Sequence, residues 1–161
     1  MKRHVSVGLD VRSRKAYLPT LYFDERYRLY FSREPVLVVD LALEGLKGLV
    51  EAIRKKMEEG NPPIEVPDWQ EFLKRKEVPP EAKAAGFKSW RSFAKKARSY
   101  GIDFLEDKII VTMSGPSKGG RLVADPKKTR EFPPDTPLEE VVRVIWEDIC
   151  STPELWEEEA P

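Results

Sequence analysis

Residues 16–31 have the sequence AYLPTLYFDERYRLYF, and this stretch decides the fold class. Aromatic residues are frequent in its first half, and polar and apolar residues alternate strictly over 26–31. The polar pair Asp24-Glu25 lies between the two parts, so the pattern predicts an antiparallel hairpin with one face toward water. Because proline lacks the N–H needed for a strand ladder, Pro19 predicts an edge or bulged position.

A strand on each side of this hairpin and a helix complete the first half of the chain. Residues 4–9 alternate and residues 36–39 are apolar, so both ranges are predicted strands. A helix is predicted to begin at Asp40, its N-cap, or at the next residue, and to end near Glu59 before Gly60. Its apolar residues fall on one stripe, which predicts a buried face: Leu43, Leu46, Leu49, Val50, Ile53 and Met57.

The second half contains another hairpin and the clearest helix of the chain. Strands are predicted at 102–105, 108–113, 121–124 and 129–132. Thr136 and Glu139 have the spacing of a capping box, with Pro137 at the first helical position. The helix that follows has an apolar stripe at 3.6-residue spacing: Leu138, Val141, Val142, Ile145, Trp146 and Ile149.

Residues 85–98 predict a further helix between these two halves. Ser89 is its N-cap, Phe93 lies on its apolar stripe, and Gly101 takes the left-handed position that ends it. The halves share the order hairpin, further strand, amphipathic helix, which is a weak pseudo-repeat. Together these elements predict an α+β fold, with antiparallel sheet from two hairpin regions and amphipathic helices packed on one face.

Length and composition predict a single domain over residues 1–161. With 161 residues and 40% hydrophobic side chains, the chain is excluded from the intrinsically disordered class. Residues 60–80 are a proline-rich connector, in which a short helix at 69–76 is expected to dock its aromatic side on the core, and residues 153–161 are an acidic tail. We expect no membrane span and no signal peptide, which predicts a cytoplasmic protein. The charged fraction of 35% and the 14 prolines resemble the composition of proteins from thermophiles.

Charge is segregated along the chain, although the net charge is zero. Residues 74–98 carry nine basic and two acidic side chains, and residues 131–161 carry one basic and ten acidic. Either these segments neutralise each other in the fold, or they recognise partners of opposite charge. The basic segment also fits a nucleic-acid-binding module, with cations at Lys88, Arg91, Lys95 and Arg98. Trp90 and Phe93 lie among these cations, but they share an apolar stripe with two alanines, which favours core packing over base stacking.

Catalytic patterns are sparse in this sequence. The chain has one histidine, His4, and one cysteine, Cys150, which excludes a Ser-His-Asp or Cys-His constellation and any disulfide within the chain. Cys150 is interpreted as a packed small residue. Asp10, at the end of the first strand, resembles the strand-one aspartate of ribonuclease-H-like nucleases, with Asp40 as its one companion carboxylate. The N-cap role explains Asp40 better, so we predict no metal, no cofactor and no enzymatic activity.

Several structural motifs follow one another between residues 85 and 149. In chain order they are Gly86-Phe87-Lys88-Ser89-Trp90, Phe93, Lys96-Ala97, the strand pair Ile102–Met113, Gly119-Gly120, and Pro133 through Thr136-Pro137-Leu138-Glu139-Glu140 into an amphipathic helix. This stretch resembles the immunity proteins of bacterial contact-dependent growth inhibition systems. The tyrosine-rich hairpin over 17–30 and the helix over 40–53 fit the same pattern more loosely.

The resemblance implies a non-enzymatic protein that binds and neutralises the C-terminal domain of a toxin. Toxins of such systems are often nucleases, whose active sites are lined with cations. An acidic surface on the inhibitor can therefore imitate the phosphate substrate and speed association. The outer side of the predicted C-terminal helix offers such a surface, and we predict that Glu139, Glu140 and Glu147 contact the partner.

Overall fold

The computed structural model describes residues 2–65, 78–116 and 121–152. Within these residues, seven strands form one antiparallel sheet: β1 (Arg3–Asp10), β2 (Lys15–Asp24), β3 (Leu29–Asp40), β4 (Ala97–Phe104), β5 (Ile109–Pro116), β6 (Leu122–Ala124) and β7 (Arg130–Phe132). The helices are α1 (Leu41–Glu59), α2 (Pro80–Ala84), α3 (Trp90–Ala94) and α4 (Leu138–Cys150). The α+β fold class is therefore confirmed. The helix predicted at 69–76 and the acidic tail lie outside the described residues.

The strand order β3-β2-β1-β4-β5-β6 shows how the two halves meet. Each half starts with a hairpin, adds further strand, and ends in a long helix. The first strands of the halves, β1 and β4, pair over eight residues from Arg3↔Phe104 to Asp10↔Ala97. At the far edge, β5 pairs with both β6 and β7. The repeated order of elements predicted from the sequence is thus present, and one sheet runs through both halves.

The main core lies between one face of this sheet and the two long helices. Val7 and Leu9 of β1 point into it from the central strand. The stripe predicted for the C-terminal helix is confirmed, because Val141, Val142, Ile145 and Ile149 are fully buried. Each buried side chain of this size stabilises the fold by roughly 1.5–3 kcal/mol relative to an exposed one.

Helix α1 begins and ends at the residues that the sequence predicts. Asp40 is its N-cap, and the carboxylate accepts hydrogen bonds from the backbone N–H groups of Ala42 and Leu43 at 3.1 and 3.3 Å. Gly60 ends the helix with a φ of 74°. The bulge expected at Pro19 is confirmed, since the β2–β3 register shifts between Leu18 and Thr20. The predicted strand at 36–39 is the second part of the long strand β3.

Leu43 does not lie on the buried stripe of α1, although its spacing placed it there. Its side chain is 85% exposed. The reason is Gly45, whose φ of 60° interrupts the helix after its first turn. The turn before Gly45 is therefore rotated out of phase with the rest of α1, and Leu49 and Ile53 are the residues that fill the core.

The helix predicted over 85–98 is wrong in its second half. Ser89 is the N-cap of α3, and its hydroxyl accepts from the Ser92 N–H at 3.1 Å. The helix ends at Ala94, however, and β4 begins at Ala97 because this segment pairs with the end of β1. Gly101 is consequently an interior residue of β4. A side chain there would lie 3.1 Å from the His4 ring.

The capping box predicted at Thr136 is also wrong. Helix α4 begins at Leu138, and its N-cap position is Pro137, which provides no side-chain hydrogen bond. The Thr136 hydroxyl instead donates to the Pro133 carbonyl oxygen at 2.7 Å and closes the preceding turn.

The two short helices pack on the opposite face of the sheet, so the prediction that helices cover one face holds only for the long ones. Phe93 of α3 is fully buried and forms a small cluster with Ala82 of α2 and Ala97. Its ring lies over Gly8, where an added Cβ would be 3.3 Å away. Residues along a strand alternate between the two faces of a sheet, and Val7 and Leu9 on either side of Gly8 point into the main core. The position of Gly8 therefore belongs to the other face, and Phe93 packs there.

Candidate functional site

Asp10 is fully buried and holds a turn. Its carboxylate accepts from the Arg12 N–H at 3.1 Å and from the Ser13 hydroxyl at 2.7 Å, and the Arg12 guanidinium lies 3.8 Å away. Its proposed companion Asp40 is the N-cap of α1. Both carboxylates therefore have structural roles. Across the described ranges, no group of three or more His, Cys, Asp or Glu residues could hold a metal ion.

His4 and Cys150 occupy two contrasting environments. The His4 ring is 2.9 Å from the Asp103 carboxylate and stacks at 4.9 Å on Tyr30, and its hydrogen bond holds the pKa of Asp103 below the usual value. The prediction that Cys150 is a packed residue is wrong, because its side chain is exposed. Partial desolvation of the thiol, with a smaller contribution from Glu147, raises its pKa although the side chain is exposed overall. A raised pKa disfavours the thiolate that a nucleophilic cysteine needs.

The outer side of α4 has the acidic character predicted for it. Glu139, Glu140 and Glu147 are all exposed, opposite the buried stripe. Arg143 lies among them, and its guanidinium donates to the Glu139 carboxylate at 3.2 Å. Within the described ranges, Glu140 and Glu147 form no ion pair, so they carry most of the uncompensated negative charge of this surface.

The orientation of α4 is fixed by a polar cluster that sequence reasoning missed. The buried Tyr100 hydroxyl donates to Asp148 Oδ2 at 2.7 Å, and Lys128 Nζ donates to Asp148 Oδ1 at 2.9 Å. Burial, together with the bond to Asp148, raises the pKa of Tyr100 well above its usual value, so the phenol stays protonated. These residues are far apart in the chain, and no local pattern connects them.

The basic segment and the acidic helix face lie on opposite faces of the sheet. Lys88, Arg91 and Lys95 are exposed around α3 and form no ion pair with described residues. Arg98 is separated from them, because it belongs to β4 and lines a small cavity with Lys128 and Asp148. The exposed cations around α3 and the exposed glutamates of α4 are therefore not paired with each other. In the described residues, the two charged segments do not neutralise each other through these helices. Phe93 is buried, as its stripe indicated, whereas Trp90 is 38% exposed.

A groove of about 790 Å³ lies between the β2–β3 ribbon and the short helices. Tyr22, Tyr30 and Trp90 form part of its wall. Glu81 of α2 also lines it, and burial raises the pKa of this carboxyl group. The tyrosine-rich hairpin was visible in the sequence, but its position opposite α2 was not.

Comparison with known proteins gives a likeness at the level of the fold. No protein-family model matches the chain, and no curated protein sequence matches it. A chain of the CdiA-CT/CdiI toxin and immunity complex from Yersinia pseudotuberculosis superposes with a TM-score of 0.58 and 13% identity, over 90% of this chain and 94% of that one. A protein of unknown function from Neisseria meningitidis gives a TM-score of 0.49 and 14% identity, over 90% and 92% of the two chains.

A chain of the Yersinia complex therefore shares the fold of this protein, and an identity of 13% shows the fold alone. That agrees with the resemblance found in the sequence, and it covers nearly the whole chain. In the described part of the chain, no helix is both long and apolar enough to cross a membrane.

Proposed function

We propose that this protein is an immunity protein, which binds the C-terminal domain of a toxin and neutralises it without catalysis. The observation that carries this proposal is the fold shared with a chain of the Yersinia pseudotuberculosis toxin and immunity complex over nine-tenths of both chains. The proposal places the protein in the cytoplasm, where it would meet the toxin domain.

The roles of the reactive side chains support a non-catalytic function. Asp10 holds a turn, Asp40 caps a helix, and His4 pairs with Asp103. Nuclease activity with Mg²⁺ that is present in the unaltered protein and lost in Asp10→Asn would contradict this part of the proposal.

We further propose that the acidic side of α4 contacts the toxin through Glu139, Glu140 and Glu147. A toxin that acts on nucleic acid holds phosphate with cations, and exposed carboxylates compete for the same site. Charge complementarity of this kind mainly raises the association rate. Because Glu139 already pairs with Arg143, Glu140 and Glu147 are expected to contribute more.

The test uses a candidate toxin C-terminal domain, sought among the genes adjacent to the gene for this protein. The domain is expressed in cells with and without this chain, and growth and copurification are measured. Restored growth together with a stable complex supports the proposal. Continued toxicity with no complex formed between the purified proteins overturns it.

A nucleic-acid-binding module is the second candidate, and the exposed cations around α3 favour it. Lys88, Arg91 and Lys95 lie near the half-exposed Trp90, which suits a single strand that needs phosphate contacts and a stacking surface. Titration of a fluorescent single-stranded RNA at two salt concentrations tests it. Tight, salt-dependent binding that weakens in Arg91→Gln would support this function, and absence of binding at low salt would exclude it.

A further inference from the structure

The β1–β2 turn, residues 11–14, carries an arginine whose head group is held in place and is still open to solvent. Arg12 Nη2 lies 3.8 Å from the Asp10 carboxylate and makes a long hydrogen bond of 3.5 Å to the Ala85 carbonyl oxygen. Its Cζ lies 4.6 Å from the centroid of the Phe87 ring. The side chain is nevertheless 62% exposed, and both of its polar contacts among the described residues use Nη2. The remaining N–H donors are therefore available to a ligand, and little side-chain entropy is lost when one binds.

This turn lies directly against the segment that contains α3. The Val11 N–H donates to the Lys96 carbonyl oxygen at 3.0 Å, so Arg12 and Lys96 lie close together although they are far apart in the chain. Arg91 and Lys95 are separated by one turn of α3 and its C-cap, so they lie on the same side of this segment. The exposed cations of the turn and of the α3 segment together form the basic surface: Arg12, Lys88, Arg91, Lys95 and Lys96.

No acidic side chain interrupts the basic surface within its two segments. Residues 11–15 contain three basic and no acidic side chains, and residues 83–98 contain six basic and no acidic ones. Asp10 comes immediately before the turn, but it is fully buried, and its carboxylate accepts from the Arg12 N–H and the Ser13 hydroxyl. Apart from the contact of Arg12 with Asp10, the basic surface forms no ion pair within the described ranges. Its positive charge is therefore largely uncompensated there.

A surface of one charge sign fits a polymer that carries a negative charge on every repeating unit. Protein–protein interfaces are depleted in lysine, whereas three of the five residues of the basic surface are lysines. Proteins that bind nucleic acid neutralise successive phosphates with lysine and arginine, clustered on one face. A guanidinium with free N–H donors, such as that of Arg12, matches the oxygens of a phosphate group. The composition of the surface therefore favours a nucleic acid over an acidic protein.

We propose that the basic surface binds the phosphate backbone of a nucleic acid strand and that Arg12 is its preorganised anchor. The proposal deepens the nucleic-acid-binding candidate, on which it rests, and it is independent of the immunity function. It adds Arg12 and Lys96 to the cations that the sequence indicated. It leaves out Arg98, which lines a separate cavity with Lys128 and Asp148. Because phosphate contacts carry no base identity, we expect binding with little sequence preference.

The experiment measures binding of a short fluorescein-labelled oligouridine to the full-length protein by fluorescence anisotropy. We expect a dissociation constant on the order of 10⁻⁶–10⁻⁴ M at physiological salt. Binding should be tighter at low salt, because each phosphate contact releases counterions. An oligothymidine of the same length is expected to bind within about threefold of the oligouridine, since the contacts are to the backbone.

Three single substitutions show which residues contact the strand. Arg12→Gln and Lys96→Gln each remove one charge from the basic surface, and each is expected to weaken binding about three- to tenfold at low salt. Each should also reduce the slope of log affinity against log salt by about 0.7. Lys55→Gln is the matched control, since it makes the same change in net charge at an exposed position of α1 and should bind within about twofold of the unaltered protein. Thermal melting checks that all three variants are folded, and Lys96→Gln keeps the test valid if Arg12→Gln perturbs the turn.

Three outcomes would overturn the proposal. They are no salt-dependent binding by the unaltered protein; equal affinity of Arg12→Gln, Lys96→Gln and Lys55→Gln; and displacement of the probe by poly-glutamate as readily as by unlabelled oligouridine. The last result would assign the basic surface to an acidic protein. Equal affinity of the variants would discard this surface and leave the nucleic-acid-binding candidate, whereas absence of binding would discard both. Protection against a toxin is measured separately, so the immunity function stands or falls without these results.

Discussion

The two faces of the sheet are stabilised in different ways. One face meets two long helices through a continuous apolar layer that includes Leu49, Ile53 and Ile145. The other meets two helices of five residues each, and its small cluster centres on Phe93 over Gly8. The first arrangement depends on periodic residues and was visible in the sequence. The second depends on one aromatic ring fitting over one glycine, which only the paired strands reveal.

If the second face contributes as much to stability as the first, substitution of Phe93 is expected to cause the largest loss in the free energy of unfolding. Phe93→Ala would remove a fully buried ring and leave a cavity above Gly8, at a cost of about 3–5 kcal/mol in the free energy of unfolding. Urea denaturation measures this change. Trp90→Ala, next to it on α3 but 38% exposed, is the control and should cost clearly less. Equal losses in the two variants would show that Phe93 is not the anchor of this face.

Ile145→Ala probes the first face. Ile145 is fully buried between α4 and the sheet, so its truncation should lower the free energy of unfolding by about 2–5 kcal/mol. Truncation to alanine removes fewer buried carbon atoms from isoleucine than from phenylalanine, so the expected cost is smaller. An unfolding midpoint unchanged by the substitution would refute the packing of α4.

A smaller, pH-dependent effect is expected from the pair between His4 and Asp103. The His4 hydrogen bond lowers the pKa of Asp103 from 3.8, so the ionised form is stabilised in the folded state. The contribution of ionised Asp103 to the free energy of unfolding is therefore fully present above the pKa of the unfolded state. It is lost as the pH falls through the lower pKa of the folded state. Asp103→Asn should destabilise by less than about 1 kcal/mol at pH 7, since the pair is partly exposed.

The direction of this pH dependence is tested by urea denaturation of the unaltered protein and of Asp103→Asn. The two midpoints are compared at neutral pH and at about pH 3. The difference between them should shrink at the lower pH. A difference that grows on acidification would show that the pair stabilises the protonated carboxyl group instead.

The smallest effect on stability is expected at the acidic side of α4. Glu140→Gln combined with Glu147→Gln should change the free energy of unfolding by no more than about 0.5 kcal/mol, because both side chains are exposed. The same variant should bind the toxin domain more slowly at low ionic strength, with a difference that shrinks in salt. Lys88→Gln with Lys95→Gln, on the opposite face, is the matched control. Equal association rates for the unaltered protein and the acidic-side variant at both salt concentrations would remove these glutamates from the interface.

Prediction from the sequence succeeded where the signal is local. Asp40 and Gly60 mark the ends of α1, and the stripe through Ile145 is buried, because a cap or a 3.6-residue period needs only neighbouring residues. It failed where distant residues decide, because pairing with β1 places Ala97 in a strand. It also failed where a local signal allows two conformations: Gly45 turns Leu43 outward through a backbone angle that glycine allows but does not require, and Thr136 closes a turn instead of capping α4.

The candidate site was predictable only in part for the same reason. The exposed charges of Glu140 and Glu147 follow from the helical period, so their positions could be derived. The groove at Glu81 requires α2 to lie against β2 and β3, and the anchor of α4 requires Tyr100, Lys128 and Asp148 to converge. Contacts of this kind have no signature in a single sequence.

The pairing of β1 with β4 has a consequence for how the protein is made. Asp10 and Ala97 are partners in the sheet but are 87 positions apart in the chain. On the ribosome, β2 and β3 can form their hairpin early, whereas β1 has one unsatisfied edge until β4 has emerged. Closing so long a loop slows the final step, so the order of events should be hairpins first and joining of the halves last. Pulse-labelled hydrogen exchange during refolding would reveal this order, and protection of the β1–β4 amides before those of β2–β3 would contradict it.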